Sequence, residues 1–365
     1  MTSTLTPAPS STRNSLTSGQ LTRVQLGLIV VGAILLGALT WVFSGSVNWA
    51  RWIAASIVAY VAATYVISRI VEGRRKALDR VVVAVVTCAF LLVMLPLVSV
   101  IWTVIERGSA RFDSTFFTGT MRLTPEDIAA QNEGAAVGGA YHAIVGTLIV
   151  TGIATAFSVP FGLFTAIYLV EYGKGKLARG ITSMVDVMTG IPSIVAGLFA
   201  YALFELVFGP GTRTGLAGGV ALTVLMTPVV VRSAEEMLRL VPNELREASY
   251  ALGVPKWKTI VKVVLPTAIA GVLTGITLAI ARVIGETAPL LVTVGLAQDT
   301  NYNPLDGRMT TLPVYTYYQY VQPGIPPEAG QNRAWAAALA LVVIVAVLFT
   351  TARLLAKILK PKGLR

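Results

Sequence analysis

The sequence holds one cysteine, Cys88, and one histidine, His142. A lone thiol forms no disulfide framework, and one imidazole without thiolate or imidazole companions builds no zinc site. Charge is scarce as well. Asp, Glu, Lys and Arg make up 13% of the 365 residues, while 55% are hydrophobic and the mean hydropathy is +0.71. An ordinary soluble surface cannot accommodate that ratio, so the solvent is a bilayer and lipid is a partner. Also missing are a glycine-rich loop ending in Gly-Lys-Ser or Gly-Lys-Thr, a His-Glu-x-x-His pair and an aspartate cluster. The first absence leaves nucleotide hydrolysis to another polypeptide, and the others exclude a metal-dependent hydrolase. The net charge is +11, but the basic residues stand in short runs beside apolar segments and not in one stripe, which argues against nucleic acid.

Along the chain, residues 1–20 are rich in Ser, Thr and Pro without apolar periodicity, and read as a disordered cytoplasmic tail. Apolar segments of spanning length then predict an all-α polytopic transmembrane bundle of about eight helices, at 24–44, 52–70, 81–105, 140–170, 181–208, 216–238, 267–292 and 334–356. The basic clusters around Arg74 to Arg80, Lys174 to Arg179, Arg239 to Lys262 and Arg353 to Arg365 all fall on one face, which the positive-inside rule makes cytoplasmic together with both termini. Segments 106–139 and 293–333 become the external loops. Pro160, Pro192, Pro228 and Pro289 lie inside spans, where each frees a carbonyl and bends the axis.

Between the sixth and seventh spans, Asn243 is a good N-cap, Glu244 and Glu247 suit a helix start, and Gly253 followed by Pro255 is a helix stop. A short cytoplasmic helix is expected there, with Ala248, Ser249 and Ala251 leaving a low-relief face. Glu247-Ala248-Ser249, three residues, Gly253, nine residues and then Val263-Val264-Leu265-Pro266 resembles the cytoplasmic loop signature of bacterial ABC importer permeases. Ser249 stands where that signature usually has a second alanine, and Val263 where it has isoleucine. The resemblance implies that Glu247, Ala248, Ser249, Gly253, Leu265 and Pro266, within a loop spanning 239–266, dock this chain onto a separate ATPase and transmit its closure.

In the seventh predicted span, Arg282 and Glu286 interrupt an apolar run. A central charge costs roughly 2.5 to 3.5 kcal/mol even on the gentler insertion scale, so both side chains should face the bundle interior or a wet cavity. Their i, i+4 spacing puts them on one helical face, where they either lock the helix to a neighbour as a salt bridge or serve transport. The run from Ala281 to Leu291 is similar to the charged segment of phosphate permeases, which implicates Arg282 and Glu286, with Thr287 beside them, in the substrate path. A guanidinium suits a tetrahedral oxyanion because its planar fork gives two parallel hydrogen bonds. Thr311-Leu312-Pro313-Val314-Tyr315 looks like the half of that translocator usually called the A subunit.

The resemblance covers about residues 81–365, a six-helix core, and leaves 21–80 as two additional N-terminal helices. It implies a heterodimer with a paralogous permease, two copies of an ATP-binding subunit that uses ATP and Mg, an extracytoplasmic phosphate-binding protein and no cofactor on this chain. The rival is an ion-coupled secondary anion transporter with Arg282 and Glu286 as its coupling pair, and such a carrier needs no docking helix. Three weaker candidates remain. His142 reads as an interfacial residue at the external end of the fourth span, Asp186 as an acid early in the fifth, and Thr189 and Ser193 as hydroxyls near a kink.

Overall fold

The computed structural model describes residues 21–44 and 48–359. The expected tail at 1–20 lies outside the described residues. Every regular element among them is helical. The chain folds as two compact units, one ending at Ile101 and the other running from Trp102 to the C-terminus.

The first unit contains α1 (Arg23–Ser44), α2 (Trp49–Val71) and most of α3 (Arg74–Ser109). Helices α1 and α2 form a hairpin, with the Trp52 indole donating to the Ile34 carbonyl at 3.2 Å. At its other end Glu72 gathers donors: the Leu21 amide at 2.7 Å, the Ser68 hydroxyl at 2.6 Å, and Arg80 through Nε at 2.5 Å and Nη2 at 2.7 Å. Hydrogen bonding by Arg80, reinforced by Ser68 and the Leu21 amide, holds the Glu72 carboxyl at about 2, below its ordinary 4.5. A depressed carboxyl stabilises above its unfolded value and loses that contribution as pH falls through its folded one. The amide of Leu21 should therefore lose hydrogen-exchange protection between about pH 4.5 and 2, and Glu72→Gln should remove the pH dependence.

The second unit is built on α6 (Tyr141–Ile167), which continues through a π-helical turn at Tyr168–Tyr172, and on α9 (Gly215–Arg239). Lipid tails offer no hydrophobic drive between helices, so close approach depends on small residues. Gly219 of α9 supplies one: a Cβ there would lie 2.5 Å from Ile153 of α6. Around this contact Val150, Ala154, Leu222, Met226 and Val230 are fully buried, together with Ala279 and Val283 of α12 (Leu265–Val283). A second π turn, Ile260–Val264, joins α12 to the short α11 (Lys256–Thr259). The remaining elements are α4 (Ser114–Thr118), α5 (Pro125–Asn132), α7 (Gly175–Thr189), α8 (Ser193–Phe208), α10 (Asn243–Ala251), α13 (Ala288–Thr293), α14 (Leu312–Val321) and α15 (Pro327–Leu359).

Among the described residues six helices are long and apolar enough to cross a bilayer, and a seventh crossing is counted if one bent pair is taken as a single span. The predicted first span, 24–44, is α1, a helix of 22 residues. The predicted fifth span, 181–208, is not one helix. It is α7 and α8, bent by 105° across Gly190, Ile191 and Pro192. Proline lacks the donor that would continue α7 and biases the preceding residue away from helix, so the chain restarts after Pro192. The seventh, predicted at 267–292, also breaks: α12 ends at Val283 and α13 begins at Ala288, with Pro289 in its first turn. Pro160 and Pro228, in contrast, sit inside continuous helices.

Candidate functional site: a broken helix pair and a cytoplasmic docking helix

The two breaks meet. Gly197 of α8 lies so close to α13 that a Cβ on it would stand 2.5 Å from the Pro289 Cα. Discontinuous helices of this kind place backbone ends and polar side chains inside the membrane where a path or a partner can use them. Arg282 lies in the last turn of α12, next to Val283, which packs in the cluster containing Leu222 and Met226. Arg282 is therefore the penultimate residue of the apolar helical stretch Lys256–Val283, which is long enough to cross a bilayer.

The expected pairing of Arg282 with Glu286 does not form. The i, i+4 rule requires an unbroken helix, and the last helical residue is Val283, so Glu286 lies in the break with its amide donating to the Val283 carbonyl at 3.1 Å. Among the described residues neither side chain has an ion-pair or hydrogen-bond partner, and the Thr287 hydroxyl makes no bond either. Arg282 is exposed on the surface of the chain, and Glu286 and Thr287 are half-buried. The structural salt bridge is thereby replaced by an open guanidinium at a helix end.

At the far end of α6 and α9 the docking loop forms the expected helix, α10. Its start differs from the expected cap: Pro242 occupies the capping position with extended backbone, and the Asn243 side chain instead accepts from Arg246 Nη1 at 3.4 Å. Its end is as expected. Gly253 has φ +74°, its amide donates to the Tyr250 carbonyl at 2.9 Å, and the Val254 amide reaches the Ser249 carbonyl at 3.2 Å. That double closure requires a left-handed residue, which glycine adopts without penalty.

Within α10, Glu247, Ala248 and Ala251 are exposed, along with Leu245 and Tyr250, while Leu252 just past its end is 83% exposed. Ser249 turns inward, its hydroxyl 2.8 Å from that of Thr259, so it ties α10 to α11 and does not join the open face. Leu265 and Pro266 are half-buried where the π turn passes into α12.

What anchors α10 was not read from the sequence. Arg246 donates to Glu171 Oε1 through Nε at 3.0 Å and Nη2 at 2.9 Å, and to the carbonyls of Val241 at 2.6 Å and Leu238 at 3.0 Å. Glu171 belongs to the π turn ending α6, its side chain is only 4% exposed, and its carbonyl accepts from Lys256. The pair is separated by 75 residues, and no local pattern announces it. A second cross-link joins Asp186 of α7 to Arg232 of α9, which also holds Glu235 at 2.9 Å, while Arg239 reaches Glu235 at 2.5 Å. The run Arg232, Glu235, Arg239 at i, i+3, i+7 was the available signal. His142 departs from the interfacial reading: it is 3% exposed, stacks edge-on against Tyr315 at 5.5 Å, and neither ring nitrogen has a partner among the described residues.

The family described as binding-protein-dependent transport system inner membrane component matches residues 158–363. A phosphate transport system permease protein, PstA 1, of Mycobacterium tuberculosis is 46% identical over 285 residues, covering 78% of this chain and 90% of that protein. PstA of Mycobacterium leprae is 45% identical over 77% of this chain and 89% of its own, and PstA of Yersinia pestis 35% identical over 78% and 92%. A chain of the inward-facing MetNI methionine ABC transporter aligns with a TM-score of 0.48 and 20% identity, over 66% of this chain and 100% of its own. With 206 of 365 residues inside the family match, the chain belongs to the binding-protein-dependent transport system inner membrane components, among the PstA-type permease proteins.

Proposed function

We propose that this multi-pass inner-membrane permease forms half of the path for inorganic phosphate, pairing with a paralogous permease whose surface completes the site around Arg282. The observation that carries this reading is Arg282 itself, a guanidinium in an apolar stretch of bilayer-crossing length that the chain leaves exposed and, among the described residues, unpaired. An isolated charge there is costly, and a second subunit or a passing oxyanion removes the cost. The names of the relatives supply the substrate, and Glu286 and Thr287, free in the break beside it, complete the polar lining.

ATP hydrolysis belongs to a separate subunit. Two copies of that ATPase would serve the pair, one under each permease, with the exposed side of α10 lying in a groove of its partner as an amphipathic helix does. Substrate would arrive on an extracytoplasmic phosphate-binding protein, and both termini of this chain would face the cytoplasm with the basic clusters. An ion-coupled carrier gives no use to α10 or to the network that holds it. The deciding experiment is reconstitution of the chain with its second permease, its ATPase and the external binding protein in vesicles. Phosphate accumulates only with internal ATP if the reading holds; accumulation driven by an ion gradient without ATP would overturn it.

A further inference from the structure

At the end of the second unit opposite α10, the segment after α3 encloses a cavity of about 310 Å³ together with α5 and α15. Arg111 and Arg333 line it, 6% and 3% exposed, with Gln131, Val137, Asn332 and Glu328. Arg333 donates from Nη1 to the Gln131 amide oxygen at 2.8 Å and to the Val137 carbonyl at 3.1 Å, and from Nε to Gln319 at 3.3 Å. Gln131 is itself oriented, because its amide nitrogen donates to the Ile325 carbonyl at 3.0 Å. Arg111 is held by Asp113, by the Thr115 hydroxyl at 2.9 Å and by the Gly138 carbonyl at 2.7 Å.

Two carboxylates stand near the two guanidiniums, Asp113 paired with Arg111 and Glu328 exposed at the opening, and Glu328 makes no ion pair with either arginine. Two buried guanidiniums face one carboxylate partner, Asp113, and among the described residues Arg333 has no ion-pair partner. Neutral amides and carbonyls fix the Arg333 plane but leave its charge uncompensated, and its Nη2 makes no hydrogen bond among the described residues. A buried cation without a counter-ion is unfavourable, and a rigid, planar set of donors facing an open cavity is the arrangement that binds oxyanions. The volume is ample for a tetrahedral anion with some of its water.

We infer that the cavity between Arg111 and Arg333 is a second oxyanion site, separate from Arg282, which holds an anion of the phosphate class on the side from which substrate enters. Naming phosphate as its occupant rests on the proposed function; the site itself does not. Glu328 and Asn332 are exposed and line the opening, and neither takes part in the hydrogen-bond network. They tune the site without disturbing its frame.

The test is equilibrium binding of radiolabelled inorganic phosphate, and of sulfate in parallel, to the assembled permease pair and ATPase in nanodiscs without the external binding protein. Arg333→Gln should weaken binding at least about tenfold. Asn332→Glu, which adds a carboxylate at the opening and breaks no bond, should do the same, while Glu328→Gln should tighten it about threefold. Unchanged affinity in both Arg333→Gln and Asn332→Glu would overturn the site. So would a wild-type complex that binds neither anion while the variants weaken docking of the external binding protein, since the arginines then serve a protein carboxylate. Binding that depends on Arg333 in an importer found not to carry phosphate would leave the site standing and remove only the phosphate assignment.

Discussion

An importer carrying Arg282→Gln assembles with its ATPase and melts at the wild-type temperature, yet its uptake falls by about a hundredfold. Both halves of that expectation follow from the break after Val283. Because Arg282 makes no ion pair or hydrogen bond among the described residues, replacing it abandons no buried partner, and the usual penalty for cutting a salt bridge does not arise. What disappears is a charge-assisted contact to the passing anion. Hydrogen bonds to charged groups contribute about 1.5 to 3 kcal/mol, and a factor of a hundred corresponds to roughly 2.7 kcal/mol. Arg282→Lys keeps the charge without the planar fork and should fall between the two. Glu286→Gln should change uptake less, since a carboxylate in the break can only accept a hydrogen bond from a protonated phosphate oxygen and adds no attractive charge. The measurement is ATP-driven uptake in vesicles alongside thermal melting of the purified complex. Wild-type uptake by Arg282→Gln, or a collapse of its melting temperature, would return this residue to a structural role.

The second large effect concerns Arg246. Replacing it with Ala leaves Glu171 4% exposed with its carboxylate unpaired, and removes two donors from the carbonyls that end α9. Losing one member of a buried pair costs about 3 to 5 kcal/mol. The expected result is a complex whose ATPase still turns over while uptake falls to a small fraction, because α10 is no longer braced against α6 and α9. Its signature is the ratio of phosphate moved to ATP hydrolysed. The double variant Glu171→Leu with Arg246→Met removes both charges together, so it should regain most of the lost melting temperature and part of the coupling. Should Arg246→Ala leave both the ratio and the melting temperature intact, the brace is not what transmits the stroke.

The sequence was most legible where the chemistry is local. Gly253 announces a helix end because no other residue adopts its backbone so cheaply, and the structure closes α10 there through the Tyr250 and Ser249 carbonyls. Apolar length alone located the long helices. Hydropathy, however, averages over a window and carries no information about whether the backbone inside it is continuous. Hence 181–208 and 267–292 read as single spans, although Pro192 and Pro289 each restart the chain. The pairing of Arg282 with Glu286 failed for the same reason, since a spacing rule inherits whatever helix it assumes. Asn243 was displaced as a cap by the neighbouring Pro242, whose fixed φ already suits the turn into the helix. Glu171 with Arg246, and Asp186 with Arg232, meet across 75 and 46 residues, and only packing brings them together. His142 looked interfacial by position alone, but the aromatic ring of Tyr315 covers it.

The two π turns, Tyr168–Tyr172 and Ile260–Val264, constrain how the chain can change in length. Such a turn is an α-helix with one residue inserted, so deleting a single residue from either stretch would restore regular winding. Everything beyond the deletion would then rotate by about 100° against what precedes it. In the first stretch that rotation carries Glu171 away from Arg246, and in the second it turns the face of α12 that bears Arg282. Substitutions between Tyr168 and Tyr172 that spare Glu171 are therefore expected to be tolerated more readily than the loss of one residue, and a deletion in one stretch is not repaired by an insertion in the other.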